Sequence, residues 1–184
     1  MASPSKTWLA DPFLARLHEA VRAAGPLRSI SVDLTNACNL RCTGCYYFAE
    51  RMDAAAPADD TGDVDTFIAR ERERGTNFAT VVGGEPSLAL DQLKKLYDAF
   101  RINVATNGQV PIPVEGFERL PIGVSVWGNR ETDRRLRGGG KTDVFERALT
   151  NYGGDPRAFW YYTVAPGHAH EVESVVERCV ANGN

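Results

Sequence analysis

The chain has 184 residues, 43% of them hydrophobic and 24% charged, with a formal net charge of -3. That length and apolar content can bury a core and exclude a disordered tail, while the slightly acidic balance with no long basic run argues against a nucleic-acid surface. No segment is apolar for long enough to be a signal peptide or a membrane span, so the four cysteines of a chain opening Met1-Ala2-Ser3-Pro4-Ser5-Lys6 are expected in a reducing cytoplasm rather than in a disulfide framework.

Apolar residues Phe13, Leu14, Leu17, Ala20, Val21 and Ala24 recur at helical spacing over residues 11–24 and stop at Gly25-Pro26. They predict a leading helix outside the main unit. A first strand is expected over 28–34, followed by a loop with three cysteines. Residues 53–63, rich in Ala, Asp, Pro and Gly, read as a loop, and 64–75 as a helix with Asp63 or Asp65 near its start. The second strand, 78–82, runs into Gly83-Gly84-Glu85-Pro86 and a helix over 90–100. The third, 102–105, ends in Thr106-Asn107-Gly108, with a short helical turn near 114–120. The fourth, 122–126, precedes Trp127-Gly128-Asn129, the triplet Gly138-Gly139-Gly140 and a helix over 142–152. A fifth strand over 158–164 and a helix over 170–181 complete the pattern, and no solenoid-like repeat is present. Strands alternating with helices of this length imply right-handed βαβ units and a parallel sheet, whose ligands bind at the carboxyl ends of the strands. The three cysteines, Gly83-Gly84-Glu85, Thr106-Asn107-Gly108 and Ser125 all fall at such ends.

Cys38, Cys42 and Cys45 are clustered soft ligands with the spacing Cys-x3-Cys-x2-Cys. Three thiolates can hold three irons of a [4Fe-4S] cube and leave the fourth open to a small ligand. A structural zinc site needs four closed ligands, and the other candidates, Cys179, His18, His168 and His170, are remote and unpaired in spacing. Two readings from other classes stay open at this point. A non-catalytic iron-sulfur carrier needs a fourth protein ligand, and a zinc-binding interaction module needs a tetrahedral site. Paired glycines at a strand end usually make a turn, but Gly83 and Gly84 also let backbone approach a ligand, with Glu85 or exposed carbonyls accepting from an ammonium group. Asn107-Gly108 alone is a common turn dipeptide. Arg134-Arg135-Leu136-Arg137 reads as a solvated helix face, His168 and His170 as loop and helix-start residues, and Cys179, on a stripe with Val172, Val175 and Val176, as core.

The cysteine motif directly after a first strand resembles the cluster loop of radical S-adenosylmethionine (SAM) enzymes. The resemblance covers about residues 28–184, leaves residues 1–27 as an N-terminal helical extension, and implies an α/β fold: a parallel (β/α) partial TIM barrel with about five βα units where the family usually has six. It implies that Cys38, Cys42 and Cys45 bind a [4Fe-4S] cluster whose open iron chelates SAM. It further implies that Gly83, Gly84 and Glu85 form the glycine-rich motif holding the SAM amino group and that Thr106 and Asn107 help to position SAM. Ser125 and Arg137, in a segment similar to strand four of peptide-modifying, SPASM-type members, would bind its carboxylate. Two departures stand out. Gly44 occupies a position that is often aromatic in the family, so packing over the cluster is expected from Tyr46-Tyr47-Phe48, and Trp127 stands where many of those relatives carry an aspartate.

The implied activity is reductive cleavage of SAM to methionine and a 5'-deoxyadenosyl radical, which abstracts hydrogen from a small-molecule or peptide substrate. An electron donor such as flavodoxin or ferredoxin is the implied partner, and enzymes that place a glycyl radical on a partner protein are the alternative within the family. Because the pattern stops after the fifth helix, the chain is expected either to belong to a longer protein or to cover an open strand edge by association.

Overall fold

A computed structural model describes residues 10–23, 25–49 and 63–183. Its strands are β1 (Ser29–Asp33), β2 (Phe78–Val82), β3 (Arg101–Thr106), β4 (Ile122–Val126) and β5 (Ala158–Tyr162). They form one sheet in the order β1-β2-β3-β4-β5, every pair parallel. When parallel neighbours are also sequence neighbours, each connection crosses over in the same sense and the sheet curls into a barrel wall. The chain is therefore a partial (β/α) barrel.

The helices are α1 (Pro12–Ala23), α2 (Tyr46–Ala49), α3 (Val64–Glu73), α4 (Leu90–Ala99), α5 (Arg130–Leu136), α6 (Val144–Tyr152) and α7 (Val172–Ala181), with 3-10 turns at Pro86–Leu88 and Ala169–Glu171. Period-2 alternation along the strands separates two faces. Ala79 and Val81, Ile102 and Val104, and Ile122 and Val124 are buried with Leu93 and Leu96 of α4 and Ala148 and Tyr152 of α6. The other face carries Thr80 beside Asn103 and Ser125 beside Tyr161. Gly123 is required there, because a Cβ would lie 2.0 Å from Cε2 of the Tyr161 ring. A second cluster, Val126, Phe145, Leu149, Val175 and Cys179, joins α6 to α7. Burial pushes the Cys179 thiol up to about 11, as suits a core residue.

Several expectations change at the element ends. The leading helix forms as α1 but buries none of its side chains, so it contributes nothing to the barrel core. The loop expected over 53–63 lies outside the described residues except for Asp63, whose carboxylate caps α3 by accepting from the Asp65 amide at 3.0 Å. The short helical turn expected near 114–120 consists of two successive turns, Phe117 N to Val114 O and Leu120 N to Phe117 O. β5 ends at Tyr162 because β4 turns away at Trp127-Gly128, leaving the Thr163 amide on Val126 O as the last bond between them.

Candidate functional site at the carboxyl ends of the strands

The loop leading to the cysteines is zipped onto the end of β2. Leu34 N donates to Val82 O at 2.9 Å, Gly84 N to Thr35 O at 2.7 Å and Glu85 N to Ala37 O at 2.8 Å. Such contact demands glycine. A Cβ on Gly84 would sit 2.2 Å from Ala37 O, and Gly83 combines φ +123 with a Cβ position 2.9 Å from Leu34 N and Thr35 O. Tyr47, 1% exposed, closes the loop from inside, its phenol donating to Thr35 O at 3.3 Å and bonding Asn36 Oδ1. Thr43 N donates to Leu136 O at 2.7 Å, which fastens the same loop to the last turn of α5.

Glu85 is 1% exposed and its carboxylate is filled by protein donors: Ser87 N at 2.9 Å, Thr106 Oγ1 at 2.7 Å and Asn107 N at 2.7 Å. It braces the end of β2 against the end of β3. Asn107 continues the brace, its side-chain amide reaching Asn39 Oδ1 at 2.7 Å and Cys38 Sγ at 3.9 Å.

Arg137 forms the second brace. Only 3% exposed, it donates to Ser125 O at 2.6 Å and Asn107 O at 3.3 Å and pairs at 3.1 Å with Asp133, which is fully buried. Its charge also acts on the neighbouring Cys42 thiol. The solvated face expected at residues 134–137 is thus split, with Arg134 and Arg135 exposed and Arg137 internal. Ser125 is half-buried on the concave face, and its hydroxyl makes no hydrogen bond to the described residues.

Burial pushes the Cys38 thiol up, against the Leu40 amide, which donates to its sulfur at 3.5 Å; Glu85 and Cys45 raise it further. Burial likewise pushes the Cys42 thiol up, with Arg137 the main opposing influence and Cys38 and Cys45 adding to the rise. The three sulfurs therefore share one electrostatic neighbourhood. Among the described residues no three His, Cys, Asp or Glu side chains surround a single ion position. A cube instead offers a separate iron to each thiolate, and three soft sulfurs, that of Cys38 supported by N–H donors from Leu40 and Asn107, fit that demand.

Beyond β5 a further polar cluster forms. Glu171 accepts from Asn129 N at 2.7 Å and Thr132 Oγ1 at 2.8 Å, with His168 Nδ1 at 2.9 Å. Arg135 lies 3.0 Å from His168 Nε2. A guanidinium only donates, so Nε2 is the acceptor and Nδ1–H faces Glu171.

Sequence reasoning did not find Tyr47, Asp133 or Glu171. Tyr47 locks the loop, while Tyr46 is exposed and Phe48 lies under the Arg41 guanidinium at 4.1 Å. Asp133 had a readable signal, its i,i+4 spacing from Arg137 on a helix. Glu171 had none.

No family model matches the chain. It is similar to a probable GTP 3',8-cyclase of Saccharolobus solfataricus, 25% identical over 139 residues, covering 70% of this chain and 43% of the relative. Its fold is similar to solved structures of anSMEcpe with bound AdoMet (TM-score 0.57, 20% identity, 83% of this chain and 48% of that one) and of TYW1 with a lysine-pyruvate adduct bound (TM-score 0.55, 17% identity, 83% and 61%). A third, anSMEcpe with bound AdoMet and the Cp18Cys peptide, has a TM-score of 0.58 at 20% identity, with coverages of 83% and 48%. The chain spans less than half the length of the curated relative it matches.

Proposed function

We propose, from the premise that the chain is built on the radical SAM core fold, that it is an enzyme that cleaves SAM reductively and takes a hydrogen atom from a substrate. The observation that carries this reading is the attachment of the three-cysteine loop to β2 through Gly84 and to α5 through Thr43, beside Asn107 and Arg137. Cys38, Cys42 and Cys45 would hold the [4Fe-4S] cluster, which when bound supplies the electron that breaks a sulfur-carbon bond of SAM, giving methionine and a 5'-deoxyadenosyl radical.

The chain's own residues bind and orient. Carbonyls of Gly83 and Gly84 accept from the SAM ammonium, the Ser125 hydroxyl and the Arg137 guanidinium serve its carboxylate, and the Glu85–Thr106–Asn107 brace keeps these strand ends in place. The small-molecule or peptide substrate occupies the concave mouth beside Tyr161, and its binding there excludes water from the radical. Residues 28–184 constitute this core and residues 1–27 an extension. The setting is the cytoplasm, with flavodoxin or ferredoxin as reductant; none of the described helices is long and apolar enough to cross a membrane.

Anaerobic reconstitution followed by optical and EPR spectra, with and without SAM, tests the reading. About four irons per chain and a SAM-dependent change in the EPR signal are expected. Iron retention in the Cys38→Ala/Cys42→Ala/Cys45→Ala protein, or a colourless metal indifferent to dithionite, would overturn it.

A further inference from the structure

We propose that Asp133 is a positioning residue that sets the reduction potential of the cluster through Arg137, an inference that rests on the reading above. Asp133 is fully buried on α5, four residues before Arg137. One carboxylate oxygen accepts from Trp127 N at 2.8 Å and from the Arg137 guanidinium at 3.1 Å, and the other lies 3.5 Å from the same nitrogen. With Ser125 O and Asn107 O also taking guanidinium N–H groups, the orientation of Arg137 is dictated on several sides.

A guanidinium has five donors in a rigid fork, so fixing part of the fork aims the rest. Here the cysteine loop lies beside that fork, because Thr43 N, next to Cys42, donates to the carbonyl of Leu136, next to Arg137, at 2.7 Å, and the Arg137 charge opposes the rise of the Cys42 thiol. Net charge and hydrogen bonds to the sulfurs are among the factors that set iron-sulfur potentials. A cation beside Cys42 stabilises an added electron, and the Asp133 carboxylate pressed against that cation moderates the effect. Both groups are removed from water, so their fields are weakly screened. The other charges acting nearby, Glu85 and Arg41 on Cys38, have opposite signs, and on the Cys42 side the acting cation is Arg137, which Asp133 holds.

The test is the midpoint potential of the anaerobically reconstituted full chain, read by spectroelectrochemistry with EPR. Asp133→Asn removes the moderating charge and is expected to shift the potential to more positive values at unchanged iron content, with Asp133→Glu restoring the wild-type value. If Asp133→Asn fails to fold because it strands the Arg137 charge, Asp133→Asn/Arg137→Gln strands none. That double variant loses the cation beside Cys42, and its potential is expected below wild type. Equal potentials at equal iron content, in whichever variant folds, overturn the proposal. Absence of iron uptake by the wild-type chain overturns the cluster reading first and this inference with it, so the two failures are distinguishable.

Discussion

The amide of Asn107 donates to the Glu85 carboxylate at 2.7 Å and so ties the carboxyl end of β3 to that of β2. Together with Thr106 Oγ1 and Ser87 N, it directs the acidic charge of the Gly83-Gly84-Glu85 motif inward. The motif's side chain is structural, and the part of it able to face a ligand is backbone.

Glu85→Ala is therefore expected to act on stability before ligand affinity. It leaves Ser87 N, Thr106 Oγ1 and Asn107 N without their acceptor in a buried setting, and hydrogen bonds to a charged group are worth about 1.5–3 kcal/mol each in such series. Urea denaturation should show a lower midpoint at unchanged slope. A stable Glu85→Ala protein with lowered SAM affinity would instead make the carboxylate a ligand.

Tyr47→Phe removes one hydroxyl that bonds Thr35 O and Asn36 Oδ1. The expected stability cost is about 1 kcal/mol, since the buried acceptors lose one neutral donor. The larger effect should be on the loop it closes. Iron release from the reconstituted protein to a chelator should be faster than in wild type, and an unchanged release rate would show that the loop is held by backbone contacts alone.

Acid should weaken the contact between α5 and the turn before α7. Burial pushes the Glu171 carboxyl up, but bonds from the Asn129 amide, His168 and Thr132 outweigh it and leave it below its ordinary 4.5. A carboxylate depressed in the folded state stabilises fully above its unfolded value and loses that contribution as pH falls through the folded one. Denaturation midpoints should hold from pH 7 to about 5 and then decline. Asp155, held low chiefly by Arg157, shares the same acid limb, so Glu171→Gln should flatten it in part. An identical limb in that variant would remove Glu171 from the account.

How much of this was legible in the sequence differs by type of residue. β2 and β4 occupy the predicted 78–82 and 122–126 because short β-branched runs bounded by Gly and Pro have few other uses. The cysteine spacing is equally direct. α5 escaped beyond the helix face at 134–137 because Arg-Glu-Thr-Asp-Arg-Arg-Leu has no apolar stripe; it buries Thr132 and Asp133 through hydrogen bonds, and its markers are the i,i+4 pair Asp133–Arg137 and Asn129, which caps it with acidic residues in the first turn. The need for glycine at 84 comes from Ala37 O, 47 positions earlier. Contacts between distant backbone segments leave no local pattern, and the same holds for Tyr47 on Thr35 O and Thr43 on Leu136 O.

The SAM carboxylate contact is best tested at Ser125 rather than at Arg137. Arg137→Ala would leave the fully buried Asp133 uncompensated, and breaking a buried pair in this way costs about 3–5 kcal/mol, so lost binding in that variant could reflect lost structure. Ser125 carries no such burden. Its carbonyl takes the Arg137 guanidinium at 2.6 Å, which any residue preserves, while its hydroxyl is unused by the described residues and lies on the concave face opposite Tyr161. Ser125→Ala should keep the denaturation midpoint of wild type and weaken SAM binding by about 1.5–3 kcal/mol, the range for a hydrogen bond to a charged group. Equilibrium binding of SAM to the anaerobically reconstituted chain measures this directly. Wild-type affinity in Ser125→Ala would detach the hydroxyl from the carboxylate site while leaving the three cysteines and the Gly83-Gly84 backbone in their proposed roles.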